Sequence, residues 1–299
     1  MFKHLGKTMM IALAGASISM SSAMAQTTPD HVYQVVDNVK AELAEMHKAN
    51  STKPPKVKVN LTKRMPRHVL QKTREVYGDV QKLRKLKGLD EKALPSFPVR
   101  TVKPADVRGL ADKTLADVKE VRKKVGAAAP TAAPLPSGKE PTDVYAELMQ
   151  VKASIGGLGV PETTPNDAYQ VALTIISDIE KVRAAKGIKV AVADPAAAKG
   201  KKPKDVYKEA YKLLGKVKAL TKKDGYGVPG GVVMPNKLDG PITPTEVIDI
   251  LNNILAEVGA IKVAVGATAA TEFPGKQSGK TPSDVYNALR KAEALVDSL

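Results

Sequence analysis

The stretch Thr281-Pro282-Ser283-Asp284-Val285-Tyr286 recurs in varied form eight times, with its proline at positions 29, 66, 104, 141, 165, 203, 244 and 282. Thr28, Thr164, Thr243 and Thr281 stand just before the proline. A hydroxyl there can accept from first-turn amides, which have no partner inside a helix. Proline suits the first helical position because the N–H it lacks would be unpaired there anyway. Two residues further on come Asp106, Asp143, Asp167, Asp205, Glu246 and Asp284, with His31 and His68 in the first two copies. An acid in that place can close a capping box and meets the positive end of the helix dipole. A metal site would account for the acid alone. A cap accounts for threonine, proline and acid together, so the motif is read as a helix start.

Apolar residues then follow at intervals of 4, 3, 4 and 3, as in Val32, Val36, Val39, Leu43 and Met46 or Val247, Leu251, Ile254, Val258 and Ile261. This is the stripe of a helix that buries one side against neighbours. Gly88, Gly126, Gly187, Gly225 and Gly266 all fall at one fixed distance after their prolines, where a left-handed C-terminal cap would sit. Each full-length helix should run about 21 residues, roughly 31 Å at 1.5 Å per residue.

Openers one to four and five to eight pair in order, and Tyr33-Gln34-Val35 is matched by Tyr169-Gln170-Val171. The expected fold is all-α: two tandem four-helix bundle units from an internal duplication, residues 26–161 and 162–299, with long Pro/Gly-rich linkers. An α-solenoid competes, since most openers recur at a nearly constant spacing, as from Pro29 to Pro66 to Pro104 to Pro141. Solenoid repeats of such a period carry two helices each, however, where this chain has one. The linkers, about 14 to 18 residues, could cross back along a bundle or form overhangs at its ends. Phe97 and Phe273 lie in linkers, which suggests lids over the bundles. The β-like runs Lys56-Val57-Lys58-Val59 and Val190-Ala191-Val192 are too short for a sheet of any size. The seam of the first half is diluted by Thr73, Ala111 and Thr114, where the second has Ala210, Leu251 and Ile254. Each large aliphatic side chain contributes about 1.5–3 kcal/mol when fully buried. Separately expressed, 162–299 should melt at a higher temperature than 26–161, and the reverse order would refute this ranking.

Residues 1–25 are expected to be a signal peptide: Lys3 and Lys7, an apolar run from Met9 to Met20, then Ala23-Met24-Ala25 as a cleavage site. The protein is expected to be periplasmic or secreted, with no transmembrane segment in residues 26–299. It has no cysteine, so packing alone must stabilise it.

Charge is the one functional hint, at +16 for the chain. Residues 48–87 carry net +11 and residues 199–223 net +8, each covering the second helix of a half and the loop before it. The candidate polyanion-binding residues are Arg74, Lys82, Arg84, Lys85 and Lys87 in the first half, and Lys208, Lys212, Lys216, Lys218, Lys222 and Lys223 in the second. A lysine-rich face is often only solvated. As a contact surface it would suit an anionic envelope polymer or lipid head groups. Nucleic acid is disfavoured, with no Trp and 3 Phe to stack on bases. A second reading is a small-ligand or cofactor bundle, such as one holding b-type haem through Met46 and His47, although Val182 and Arg183 replace them in the other half. A sensor or adaptor contacting another protein is a third. The sequence lacks H-E-x-x-H, E-x-x-H, G-x-S-x-G and a phosphate-binding glycine loop, so no enzyme, cofactor or metal site is assigned. Tyr33, Tyr145, Tyr169, Tyr207 and Tyr286 follow the caps and are expected to brace the bundle ends.

Overall fold

The computed structural model describes residues 26–57, 59 and 61–299. The expected signal peptide lies outside the described residues, as does Lys58 of one β-like run. Among the described residues there are eight helices and no strand: α1 Pro29–Ala49, α2 Pro66–Leu86, α3 Pro104–Lys124, α4 Pro141–Gly157, α5 Pro165–Ala185, α6 Pro203–Leu220, α7 Pro244–Ala264 and α8 Pro282–Asp297. Every opener proline is the first residue of its helix.

The caps work mainly through the third helical residue. Its side chain accepts from the backbone N–H just before the proline, as Asp167 does from Thr164 at 2.8 Å and Asp284 from Thr281 at 2.7 Å. His31 and His68 do the same through Nδ1, accepting from Thr28 at 3.1 Å and Met65 at 2.9 Å. Only Thr243 and Thr281 also accept a first-turn amide through the hydroxyl. Thr28 and Thr164 instead turn theirs toward His31 and Asp167, so the threonine half of the cap is weaker than expected. At the far ends Gly88, Gly126, Gly187 and Gly266 take φ near +72°. The amide of the following residue reaches back to the carbonyl of Arg84, Arg122, Arg183 and Lys262 respectively, closing a Schellman turn. The sixth helix stops at Leu220, short of the length expected, and Gly225 lies beyond it.

In the first half α1 packs on α3 and α4, and α2 on the same two, so the order around the bundle is α1-α3-α2-α4. In the second half α5 and α6 each pack on α7 and α8. Two separate cores result, one from each half. Tandem four-helix units fit these pairings. The proline and fourth residue of all four helices of the first half meet at one end: Pro29, Val32, Pro66, Val69, Pro104, Val107, Pro141 and Val144. All four helices are therefore parallel, and each linker must return the full length of the bundle. Side-chain amides strap the linkers down. Gln150 on α4 both accepts from and donates to the backbone of Val57, and Asn287 on α8 does the same for Ala198.

A recurrent polar layer agrees with the parallel register. Glu42, Asp79, Asp117, Asp178 and Glu257 share one address, counted from the prolines of α1, α2, α3, α5 and α7. His47, Arg84, Arg122, Arg183 and Lys262 share another in the same helices, a little over a turn further on. Arg122 of α3 donates through Nε to Glu42 of α1, and Lys262 of α7 pairs with Asp178 of α5 at 2.7 Å, both buried at corresponding addresses. Arg84 of α2 reaches Asp117 of α3 at 3.5 Å in the same sense. His47 of α1 fills the fourth place by meeting Ser154 of α4. Because the base lies beyond the acid it serves, each pair ties two helices in one direction around the bundle.

The two halves meet through α2 and α7. Arg67 and His68, in the first turn of α2, contact Glu257 well along α7 at 3.0 and 2.8 Å. Near the end of α2, Lys82 approaches Asp167 in the first turn of α5 at 3.5 Å. The second bundle is thus inverted relative to the first. His68 has a defined tautomer: Nδ1 accepts the Met65 amide, so Nε2–H donates to Glu257. Burial lowers its pKa from the usual 6.5, against the opposing pull of Glu257. The unfolded chain therefore takes up this proton first, and the His68 contribution, complete above 6.5, is lost as pH falls through the folded pKa. We expect the wild type to lose stability as pH falls below about 6.5 more steeply than His68→Gln. Urea unfolding from pH 7.5 to 5 should show it; parallel curves would refute it.

Candidate functional site

The two basic strips occupy different surroundings. Around α6 the lysines face outward: Lys208 and Lys218 on the helix and Lys222 and Lys223 in the turn after it are exposed, as are Lys199, Lys202 and Lys204 before and at the start of the helix. None of these seven comes within ion-pair distance of a carboxylate among the described residues. Lys212 and Lys216, by contrast, converge on Glu293 of α8 at 2.7 Å each, and Lys216 also holds Asp297. They hold Glu293 down to about 2, against a burial cost that would raise it.

In α2 the corresponding strip is largely consumed within the protein, a correction to the expected contact face. Arg84 is buried, with its guanidinium on Asp117 and Glu120 and its Nε donating to the Asp90 carbonyl. Arg74 is buried between the halves, 3.7 Å from the Phe273 ring centroid and 5.3 Å from that of Phe97. Lys82 is shared between Asp79 and Asp167. Only Lys85, paired loosely with Glu91 at 3.6 Å, is well exposed, and Lys87 is half-buried. The physical reason is that α2 is the junction helix: its charges answer α3, α5 and α7, while α6 touches only helices of its own half.

A groove of about 970 Å³ opens beside that junction, between α2, α5, α7 and the linkers around residues 91–96 and 271–277. Arg74 lies in its wall. Its Nε and Nη2 are buried and have no hydrogen-bond partner. Burial pushes its pKa down to about 10, opposed by the charge of Asp178. The other cations of the groove are satisfied: Lys152 by Glu75 and Asp79, Lys276 by Glu91, and Lys92 by Asp117 and Glu120. Phe97 packs on the first core, as expected of a linker lid, whereas Phe273 covers Arg74 rather than a bundle end.

His47 is buried with both ring nitrogens engaged: Nε2–H donates to the Ser154 carbonyl at 3.0 Å, and Nδ1 faces the Thr52 hydroxyl at 2.8 Å. Met46 is a core residue. Neither ring nitrogen of His47 is free to hold a haem iron in this arrangement. The recurring tyrosines carry cations instead. Arg64, Lys139, Lys201 and Lys280, each two residues before an opener proline, sit 4.4–4.8 Å from the ring centroids of Tyr145, Tyr33, Tyr286 and Tyr169. Each such contact joins neighbouring helices at the proline end and contributes about 0.5–1 kcal/mol when exposed. Tyr207 instead accepts the Leu238 amide through its hydroxyl. Among the described residues no group of three or more acids and histidines is placed to hold a metal, and no helix is long and apolar enough to cross a membrane. No protein-family model matches the chain, and neither curated proteins nor solved structures show a significant match to it.

Proposed function

We propose that this is an exported, non-enzymatic helical binding or scaffold protein, and that the outer face of α6 holds anionic head groups or polymers of the cell envelope. The supporting observation is seven exposed lysines, on α6 and the segments flanking it, that have no acidic partner among the described residues, at a basic helix that the junction between the halves leaves uncovered. Lys208, Lys218, Lys222 and Lys223 are the residues assigned to the contact. Attraction of a lysine to an anionic surface amounts to about 1 kcal/mol, roughly fivefold in affinity, and fades within a Debye length. Lys212 and Lys216 contribute less, because Glu293 and Asp297 already neutralise them. The export signal expected over residues 1–25 supports the reading, since it would carry the protein to where such surfaces are found.

Co-sedimentation with phosphatidylglycerol vesicles tests this. Binding is expected in dilute salt, falling steeply as salt rises, and absent with phosphatidylcholine. The combined variant Lys208→Glu, Lys218→Glu, Lys222→Glu and Lys223→Glu should lose it, while Lys85→Glu should change little. Failure to bind at low salt, or retention by the four-site variant, would sink the proposal.

A further inference from the structure

The groove between the halves holds a cation that the fold does not explain. Buried charges in proteins are ordinarily paired, because an unpaired one costs several kcal/mol. Arg74 has no carboxylate within ion-pair distance among the described residues, and two of its buried nitrogens donate to nothing. It is also outside the repeat scheme: the corresponding residue of α6 is Tyr211, whose hydroxyl donates to the Pro235 carbonyl. Every other lysine or arginine named above in the groove has its acid. Among the described residues Arg74 is therefore the one cation of the groove without an acid.

Its surroundings narrow what the partner can be. Phe273 and Phe97 lie against the guanidinium. Stacking on a ring occupies the face of a guanidinium and leaves its edge for a planar acceptor, which a carboxylate engages with two parallel hydrogen bonds. The groove beyond presents Leu94, Val171, Ile248 and Leu255 and the amides of Gln71 and Gln170. Its acids Glu75, Asp79, Glu91 and Asp167 are held by Lys152, Lys276 and Lys82. The groove's volume lies within the range of small-molecule sites, and its apolar side chains beside an unpaired cation suit a ligand with both an apolar and an anionic part. We propose that this groove binds a small organic carboxylate with an apolar body, its charged end on Arg74. Phe273, 37 % exposed on the linker between α7 and α8, forms the outer wall that such a ligand would share.

Calorimetric titration of the chain from residue 26 onward with octanoate, octanol and acetate tests the proposal. Octanoate should bind with one-to-one saturation. Acetate, lacking the apolar body, and octanol, lacking the charge, should each bind at least tenfold more weakly. Arg74→Gln should lower octanoate affinity at least tenfold with its helical circular dichroism intact. Because that variant could also loosen the junction, the wild type supplies a second readout. Octanoate should shift the methyl resonances of Val171, Ile248 and Leu255 and leave those of Val36 and Ile179, deep in the two cores, in place. No saturable octanoate binding, equal binding of octanol, an unaffected Arg74→Gln, or shifts confined to the cores would each overturn the assignment. The four-lysine variant should bind octanoate like the wild type, so either proposal can fail without the other.

Discussion

Lys262→Met is expected to destabilise the protein by about 3–5 kcal/mol, the usual consequence of deleting one member of a buried ion pair. Lys262 and Asp178 are both almost entirely hidden, and their 2.7 Å contact joins α7 to α5. Thr271 donates to the other Asp178 oxygen at 2.6 Å, which also anchors the linker behind Phe273. Without the ammonium, Asp178 keeps only Lys181 in ion-pair contact, at 3.6 Å, among the described residues. The double variant Lys262→Met with Asp178→Leu removes both charges and should recover most of the loss, since desolvating such a pair offsets much of its attraction. Chemical denaturation of the single and double variants measures this. If Lys262→Met unfolds within about 1 kcal/mol of the wild type, the pair does not have the weight its burial implies.

Lys72→Met should act on the junction rather than on one bundle. The ammonium is 1 % exposed and contacts Glu75 on its own helix at 2.8 Å and Asp249 on α7. Burial would depress its pKa, but Asp249 and Glu75 outweigh that and hold it well above its ordinary value, so it is charged. The Tyr145 ring lies 5.4 Å away. Glu75 keeps Lys152 when Lys72 is lost, whereas Asp249 has no second cation in ion-pair contact among the described residues. Asp249 retains partial access to solvent, so a loss of about 2–4 kcal/mol is expected, near the lower end for a broken buried pair. The signature should be regional. Amide exchange should quicken in α2 and α7 along the junction, with α1 and α8 little changed. Uniform quickening across all eight helices would mean that the junction is not a separable unit of stability.

The helix starts, the stripe and the C-terminal glycines were legible because each is a local signal repeated at fixed spacing, and all eight prolines open helices. Helix direction was not. A linker long enough to return along a bundle is also long enough to form an overhang, and nothing in residues 125–140 or 186–202 distinguishes the two. One signal for direction does lie in the sequence, in the acid and the base that recur at fixed addresses after the proline. Compared across helices, Glu42 with Arg122 and Asp178 with Lys262 indicate parallel neighbours. The fate of the basic strips was beyond reach, because net charge does not record what faces it. Lys82 and Lys216 read alike in sequence, yet one answers another bundle and the other its own. Arg74 shows the same gap more sharply, since its burial comes from rings at residues 97 and 273, far from it along the chain.

The linker between α4 and α5 is short because of how the first bundle is strung. With every helix running the same way, the chain leaves at the end opposite to where it entered. A short tether starts the next bundle beside that exit, and the lateral α2–α7 junction makes it point back. Any array extended by the same rule would grow sideways, as alternating up and down blocks in a raft one helix-length deep, and would never lengthen into a rod.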